Sequence, residues 1–336
     1  MISNDQTRIE NALLQIPNGV LRVERHSLDL NGTRLPAERL QGETDGKGKV
    51  EARQPYPGME IAMNTIQARK AEFHHEALAS VLEINYCRAG RVGWNMKGDT
   101  AVYLGAGDLV IHSMDCCADS SMALPVGYYE GISVSVDLNI LMEKQPAILA
   151  AAGFDARQLY EKFCAAQKPI TIPASEEIEH IFAPLYESPE MRREPYFQLK
   201  VQELLLYLNW LDLKSVMKLT QYNSQQTELI KEIHALLTEH LDTRYTIEEL
   251  SRKYLLNTSS LKKVFKAVYG QPIASYMKEY RAQQAMKLLR KTDQSISEIA
   301  EQLGYGTQGK FTKAFKDVAG VLPTEYRKQC RNGSEK

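Results

Sequence analysis

Short apolar runs separated by glycine or polar residues occupy the chain between residues 80 and 138. Five of these runs are SVLEINYC, GRVGWNM, TAVYLG, GDLVIHS and GISVSVDL, and they are rich in β-branched and aromatic residues. Alternation of apolar and polar positions is clearest at Ile132, Val134 and Val136. Short strands at this spacing predict a β-sandwich or a small barrel. The more polar segment before them includes GETDGKGK, residues 42–49, which predicts a loop.

After Asp137 the apolar spacing becomes that of helices, with helices predicted inside 138–167 and at 176–186. One further helix carries an apolar seam at spacings of four and three, made by Phe197, Val201, Leu204, Leu208 and Leu211. The seam packs either onto the sheet of its own chain or against the same helix of a second copy. The second alternative predicts a homodimer formed through residues 197–213. The polar segment 220–227 predicts a linker.

An apolar pattern in the last third of the chain occurs twice, fifty residues apart. It consists of Leu261, Val264, Phe265 and Val268, and again of Phe311, Ala314, Phe315 and Val318. A glycine follows each copy, and a Ser/Thr-x-x-Glu capping box precedes each copy at residues 246–249 and 295–298. The pattern therefore predicts a helix-turn-helix unit made twice, with a long helix from about Ile273 to Leu289 joining the two units.

The second helix of each predicted unit keeps a polar and basic face once its apolar positions are removed. In the first unit the cap and face are Asn257, Ser259, Ser260, Lys262, Lys263 and Lys266. In the second unit they are Thr307, Gln308, Gly309, Lys310, Thr312, Lys313 and Lys316. Lys, Gln, Ser and Thr side chains donate to phosphate oxygens and base edges, so these residues are the predicted DNA-binding positions. The alternative is a solvated basic face, which is common on surface helices.

Composition and charge are consistent with two globular domains. The chain has 336 residues with 43% hydrophobic and 25% charged residues, and a net charge of −1. From Thr227 onward, however, the chain has 19 Lys and Arg and 13 Asp and Glu, so the net charge of this part is +6 and that of the rest is −7. The five cysteines are odd in number and scattered, which favours reduced thiols. The N-terminal sequence lacks a secretory pattern and no apolar run reaches the ~20 residues of a spanning helix, so the expected location is the cytoplasm.

The segment from Thr246 to Arg327 resembles the DNA-binding domain of the AraC/XylS family of bacterial transcription regulators. The resemblance is strongest in IAEQLGYGTQGKFTKAFKDVAGVLPTEYR, which begins at Ile299. By motif alignment, the family's base-contacting positions fall on Ser259, Lys262, Lys263, Gln308, Gly309 and Lys313. Two positions depart from the family pattern: Gly309 stands where a polar side chain is usual, and Lys310 stands where an aromatic or small polar residue is common.

The resemblance implies an α+β chain with a cupin-like β-barrel sensor and helices in its N-terminal part. It implies an all-α C-terminal domain with two helix-turn-helix units joined by a linker helix. We expect an effector-sensing and dimerisation domain at 1–219, a linker at 220–227 and the DNA-binding domain at 228–330. The implied partners are double-stranded promoter DNA, a small-molecule effector, RNA polymerase and a second copy of the chain. No cofactor and no membrane partner is implied. The implied function is transcription regulation, with activation and repression both left open.

The expected effector-binding residues are Asn85, Cys87 and Trp94, because inward-facing polar and aromatic groups orient a ligand in a barrel. Their alternative is ordinary barrel core. The rival function is a metal-dependent cupin-type enzyme or a metal sensor, which needs converging ligands. The chain offers adjacent His74 and His75, which point to opposite faces if they lie on a strand, and His112 with Cys116 or Cys117 as ligands for a soft metal. Buried apolar thiols are the simpler interpretation, so we expect no catalytic residues and no metal site.

Overall fold

The computed structural model describes residues 4–26, 41–74, 76–117, 120–187, 193–214 and 219–332. They divide into two compact units, which we call the N-terminal unit, Asn4–Ser224, and the C-terminal unit, which begins at Gln225. The N-terminal unit combines strands with helices, and the C-terminal unit is built of helices. The chain is therefore of mixed α+β class, as predicted. No helix in the described ranges combines the length and the apolar character needed to cross a membrane.

In the N-terminal unit one helix precedes the first strand, and the other helices follow strand β11. Its strands are β1 (Val20–His26), β2 (Gln41–Thr44), β3 (Lys47–Tyr56), β4 (Met59–Gln67), β5 (Lys70–His74), β6 (Val81–Gly90), β7 (Val92–Met96), β8 (Thr100–Leu104), β9 (Leu109–Ser113), β10 (Ser120–Ala123), β11 (Tyr129–Asp137), β12 (Ile170–Ile172) and β13 (Tyr222–Asn223). Its helices are α1 (Asn4–Ala12), α2 (Leu138–Glu143), α3 (Ala147–Ala151), α4 (Ala156–Phe163), α5 (Glu176–Glu187) and α6 (Arg193–Trp210).

The described strands form two sheets. The larger sheet has the order β1-β3-β4-β11-β6-β9-β12, and the smaller sheet has the order β13-β8-β7-β10-β5-β2. Pairing is antiparallel except between β1 and β3. Apolar side chains from both sheets share one buried cluster, which includes Cys87 and Val110 of the larger sheet and Trp94 and Val102 of the smaller one. The sheets therefore pack face to face, which corresponds to the sandwich, one of the two alternatives that the strand pattern predicted. Among the described strands neither sheet closes into the barrel that the resemblance implied.

The seam of helix α6 packs inside its own chain. Phe197, Val201, Leu204 and Leu208 are at most 1% exposed and belong to the core that covers the outer face of the larger sheet. Since these side chains are already buried, they are not available to the same helix of a second copy. The structure therefore contradicts the prediction of a dimer formed through this seam. The other alternative is observed, because the seam packs onto the sheet of its own chain.

Two segments predicted as irregular contain regular structure. Within 42–49 only Asp45 and Gly46 lie between strands β2 and β3, so the expected loop was wrong for the rest of this segment. Within 220–227, Tyr222 and Asn223 pair with Ala101 and Thr100 of β8, and a helix begins at Ser224. Polar composition did not reveal these strands because strand pairing is set by partners that are distant in the sequence. The boundary between the two compact units, after Ser224, falls inside 220–227, and the linker itself stays a prediction.

The C-terminal unit contains seven helices in its described part. They are α7 (Ser224–Glu239), α8 (Ile247–Lys253), α9 (Thr258–Tyr269), α10 (Ile273–Lys291), α11 (Ile296–Gln302), α12 (Gln308–Ala319) and α13 (Pro323–Asn332). The predicted joining helix corresponds to α10. Met286 and Leu289 of α10, Ile299 of α11 and Phe311 and Phe315 of α12 share one buried cluster. Helix α10 is therefore part of the core and not an exposed connector.

Candidate nucleic-acid interface

The pair α8 and α9 begins with a complete capping box. The Thr246 backbone N–H donates to Glu249 Oε2 over 2.7 Å, and the Glu249 backbone N–H donates to Thr246 Oγ1 over 3.2 Å. These hydrogen bonds stabilise the carboxylate and lower the pKa of Glu249. Helix α8 ends at Lys253 with Tyr254 as its C-cap, and Asn257 then caps α9 by accepting from the Ser260 backbone N–H over 2.7 Å. Capping hydrogen bonds between residues close in sequence thus fix where α8 and α9 begin.

The pair α11 and α12 repeats this arrangement. The Ser295 N–H donates to Glu298 Oε2 over 2.7 Å, the Glu298 N–H donates to Ser295 Oγ over 3.2 Å, and the pKa of Glu298 is lowered for the same reason. Thr307 caps α12 by accepting from the Lys310 N–H over 3.3 Å. Helices α9 and α12 then end alike, at Gly270 and Gly320 in left-handed conformations.

Apolar packing fixes which face of α9 and of α12 is exposed. Leu261, Val264, Phe265 and Val268 of α9 are buried, as are Phe311 and Phe315 of α12. Because these positions form one side of each helix, the opposite side must face solvent. The two helices therefore present equivalent polar faces.

All thirteen predicted DNA-binding residues lie outside the core. Ser260 and Thr312 are half-buried, and the others are exposed. The exposed set is Asn257, Ser259, Lys262, Lys263, Lys266, Thr307, Gln308, Gly309, Lys310, Lys313 and Lys316. The structure brings them to the exposed side of their own helix pair, which is the arrangement that contact with a duplex requires.

Six lysines give these faces their positive charge, three on each helix. The acidic residue at the end of the second face, Asp317, forms an ion pair of 2.7 Å with Lys278 of α10. This pairing lowers the pKa of Asp317 and offsets its charge. An anionic partner approaching α12 therefore meets little opposing charge from this carboxylate.

Two arginines that sequence analysis did not single out connect the loop between α7 and α8 to α10 and to the turn between α11 and α12. Arg281 of α10 is 7% exposed and donates to the carbonyl oxygens of Leu241 and Thr243 over 3.3 Å each. Arg244 donates from Nε to the Gly304 carbonyl over 2.6 Å, and its guanidinium lies 4.8 Å from the centre of the Tyr305 ring. Burial lowers the pKa of Arg281. A charged residue inside the otherwise apolar face of α10 was the signal that could have identified Arg281.

The sequence from 250 to 329 matches the family described as "Helix-turn-helix domain". Two curated relatives are an uncharacterized HTH-type transcriptional regulator of Bacillus subtilis, YtdP, and the HTH-type transcriptional activator RhaR of Yersinia pestis. The C-terminal unit is an AraC-type helix-turn-helix DNA-binding domain. This AraC-type domain accounts for the repeated helices and caps described above.

The match to these relatives is partial. YtdP is 30% identical over 33% of this chain and 14% of its own length. RhaR is 28% identical over 42% of this chain and 49% of its own length. The chain therefore spans less than half the length of each relative. A solved structure, the C-terminal domain of the response regulator AraT from Geobacillus stearothermophilus, is 28% identical over 30% of this chain and 84% of that chain, with a TM-score of 0.29.

A cavity in the N-terminal unit contains two of the three predicted effector residues. Asn85 and Trp94 line it, together with Arg25, Glu60 and Asn64 among others. Cys87 packs instead in the apolar cluster between the sheets, and burial raises its pKa far above the usual thiol range. Cys87 therefore does not line this cavity, whereas Trp94 belongs to the same cluster and does line it. The role of Cys87 in effector binding stays a prediction.

The predicted metal-ligating residues do not all come together. His112 and Cys117 approach each other, with Cys117 Sγ 3.9 Å from His112 Nε2. Glu83, which sequence analysis missed, joins them through a contact of 3.6 Å between its Oε2 and Cys117 Sγ. Cys116 contacts the hydroxyl of Ser113 at 3.3 Å. The side chain of His74 and the whole of His75 lie outside the described residues.

Proposed function

We propose that this chain is a sequence-specific transcription regulator whose AraC-type domain binds double-stranded promoter DNA through two helix-turn-helix units. One observation supports this most directly: α9 and α12 start, end and pack alike, and both expose a lysine-rich face. A single basic face is common on surface helices. Two equivalent faces in one domain are typical of a protein that contacts a repeated, polyanionic target.

Joining both units through α10 makes one chain the equivalent of a covalent dimer. Recognition helices placed in successive major grooves on one face of B-DNA are about 34 Å apart along the duplex. We assign α9 and α12 to these grooves. A single chain then reads two half-sites, which need not be identical because the two faces differ in sequence.

Phosphate contacts and base contacts fall to different residues in this proposal. The helix N-termini capped by Asn257 and Thr307, with Lys266 and Lys316, hold phosphates and set the register. Lys262, Lys263, Gln308 and Lys313 discriminate bases, since Lys pairs well with guanine and Gln with adenine. Ser259, Ser260, Lys310 and Thr312 add hydrogen bonds to the same surface.

The two units should not contribute equally to specificity. Gly309 provides no side chain at a position where members of the family usually carry a polar one. Base reading at the corresponding step is therefore lost, and Lys310 nearby can supply charge without the bidentate geometry that distinguishes bases well. We propose that α9 carries more of the sequence discrimination and α12 more of the phosphate binding.

The N-terminal part, residues 1–219, is proposed to be a cupin-like sensor that binds a small-molecule effector in the cavity lined by Asn85 and Trp94. The effector must bind one arrangement of the chain more tightly than another, because equal affinity for both shifts nothing. The RhaR relatives are named activators, and we propose activation, through RNA polymerase, here too. We assign DNA binding to 228–330, dimerisation to the N-terminal part and no catalytic role to the chain.

Selection of bound fragments from genomic DNA by the full chain tests the proposal. Enrichment of one sequence, whose affinity then falls with salt at a slope of about 0.9 per phosphate neutralised, is the expected result. Recovery of unrelated fragments with no shared sequence would reject sequence-specific binding. A protein-interaction scaffold would instead give binding that is insensitive to salt.

A further inference from the structure

Three side chains with metal-ligating atoms meet inside the N-terminal unit. Glu83 of β6 and His112 of β9 are directly opposite in the antiparallel register, and side chains of such a pair project from the same face of a sheet. Cys117 follows the 3-10 turn at Met114–Cys116, and this turn brings its sulfur back to the pair. The three ligand atoms lie within 4.8 Å of one another.

The hydrogen bonds of His112 leave one ring nitrogen for a metal. Nδ1 lies 2.9 Å from the carbonyl oxygen of Ser113. A carbonyl oxygen only accepts, so Nδ1 carries the hydrogen and Nε2 carries the lone pair. A backbone carbonyl on the far nitrogen is the usual way in which a metal-binding histidine is oriented.

The side-chain amide of Asn85 lies next to both His112 and Glu83. Asn85 Nδ2 lies 3.4 Å from Nε2 of His112 and 3.4 Å from Oε1 of Glu83. Its own Oδ1 accepts from the Ser133 hydroxyl over 2.7 Å, which fixes the amide orientation. Asn85 therefore donates towards Nε2 of His112, where a cation that takes this lone pair would replace it. Asn85 also donates towards Oε1 of Glu83, which leaves Oε2 to face the cation.

Two of the three distances between the ligand atoms are close to those of a four-coordinate zinc site, and the third is within 4.8 Å. In a tetrahedron, bonds of about 2.3 Å to sulfur and 2.0–2.1 Å to nitrogen or oxygen put the sulfur about 3.6 Å from the other two atoms, which lie about 3.3 Å from each other. Cys117 Sγ lies 3.6 Å from Glu83 Oε2, and it lies 3.8 Å from Nδ1 and 3.9 Å from Nε2 of His112. Movement of the sulfur by a few tenths of an ångström would complete these two edges.

The surroundings of these three side chains suit a small metal ion that keeps one coordination position open. His112 and Cys117 are 1% and 6% exposed, and Glu83 and Cys117 line the cavity between the sheets. About 80 Å³ of this cavity is open to water-sized molecules. That is room for an ion and a few waters, since one water needs roughly 10–15 Å³ by this measure.

We propose that Glu83, His112 and Cys117 bind one divalent metal ion of the zinc type, with its fourth position open to the cavity. A thiolate and an imidazole favour Zn²⁺ over Mg²⁺ or Ca²⁺, which prefer all-oxygen sites. This inference goes beyond DNA binding and does not depend on it. It replaces the expectation of no metal site, because Glu83 supplies the third ligand that the sequence alone did not reveal.

Cobalt substitution in the full chain tests the site. Protein treated with EDTA is titrated with Co²⁺, whose bond to a thiolate gives a near-ultraviolet charge-transfer band, and Zn²⁺ is then added. We expect one Co²⁺ per chain, the thiolate band, and its loss as Zn²⁺ displaces Co²⁺. In Cys117→Ser the band should disappear. Cys116→Ser is the matched control, because Cys116 is equally buried but faces Ser113, and it should keep the band.

Glu83→Gln keeps the shape of the side chain and provides the second test if Cys117→Ser does not fold. It should weaken Zn²⁺ binding by more than the roughly 10–100-fold that loss of an outer-shell partner costs. A wild-type spectrum without the thiolate band, a band that persists in Cys117→Ser, or unchanged Zn²⁺ affinity in Glu83→Gln overturns the inference. DNA binding is assayed separately, so failure of the metal site leaves the proposed function standing, and the reverse also holds.

Discussion

Leu255 and Gly304 occupy the same position in the two equivalent turns, with φ angles of +52° and +72°. Each follows the C-cap residue of the first helix of its pair, Tyr254 or Leu303. Glycine adopts this left-handed conformation without strain, whereas a side chain there costs about 1–2 kcal/mol. Leu255 is also 92% exposed, so it gains no burial in return.

Leu255→Gly should stabilise the AraC-type domain by about 0.5–1 kcal/mol. Relief of the strain exceeds the entropy that glycine loses on folding, which is about 0.5–1 kcal/mol. Hydrogen exchange of α9 peptides in the full chain measures the change. Slower exchange is the expected result, and faster exchange would show that Leu255 makes stabilising contacts.

Gly304→Ala should have the opposite effect. A Cβ at this position would lie 2.4 Å from the Leu241 carbonyl oxygen, a backbone atom that cannot move aside cheaply. With the strain of the left-handed conformation, the loss should exceed about 2 kcal/mol. Exchange in α11 and α12 peptides should accelerate, and unchanged exchange would contradict the packing of this turn.

Lys263→Ala should weaken binding to the selected DNA more than binding to random DNA, by about 1–3 kcal/mol, because it removes a base contact. Lys266→Ala should weaken both equally and reduce the salt slope by about 0.9. Lys287→Ala, an exposed lysine on α10, is the control and should change neither. Anisotropy titrations at several salt concentrations measure all three. Equal losses on both DNAs for Lys263→Ala would reject its base-reading role.

Arg281→Met should destabilise the AraC-type domain by about 1–3 kcal/mol. Methionine keeps an apolar stem but removes the hydrogen bonds to the carbonyl oxygens of Leu241 and Thr243, and hydrogen bonds from a charged donor contribute about 1.5–3 kcal/mol each. Lys287→Met on the exposed side of the same helix is the control. Urea unfolding monitored by hydrogen exchange compares them, and equal stability of the two variants would contradict the role given to Arg281.

Acid should weaken the domain through its capping boxes. Folding lowers the pKa values of Glu249 and Glu298. Their stabilising contribution is therefore complete above the ordinary carboxyl pKa of about 4.3 and is lost as pH falls through the lower folded values. The double variant Glu249→Gln, Glu298→Gln cannot titrate at these positions. Between about pH 5 and pH 3 the wild type should lose more stability than the variant, and parallel losses would refute this linkage.

The C-terminal helices could be predicted closely because their ends are marked locally. Thr246, Ser295, Asn257 and Thr307 each satisfy backbone N–H groups a few residues away, so short-range sequence suffices. Arg281 was missed because its acceptors lie about forty residues earlier in the chain. Long-range contacts of this kind leave no local pattern.

The N-terminal unit was predicted less well for the same reason. Strand content was evident, but the division into two sheets depends on which strands pair, and the pairing is non-local. Glu83 joined His112 only through the register of β6 with β9. The seam of α6 identified a helix with a buried face, yet periodicity alone could not say whether its own sheet or a second chain covers that face.

The spacing of DNA protection tests the central proposal most directly. On the selected target, hydroxyl-radical footprinting with the full chain should show two protected patches on one face of the duplex, about 10 base pairs apart. Inserting about 5 base pairs between them turns the half-sites to opposite faces and should reduce binding to that of one unit, because α10 joins the units at a fixed separation. A single protected patch, or full affinity for the target with the insertion, would contradict the proposal that α9 and α12 of one chain enter successive grooves.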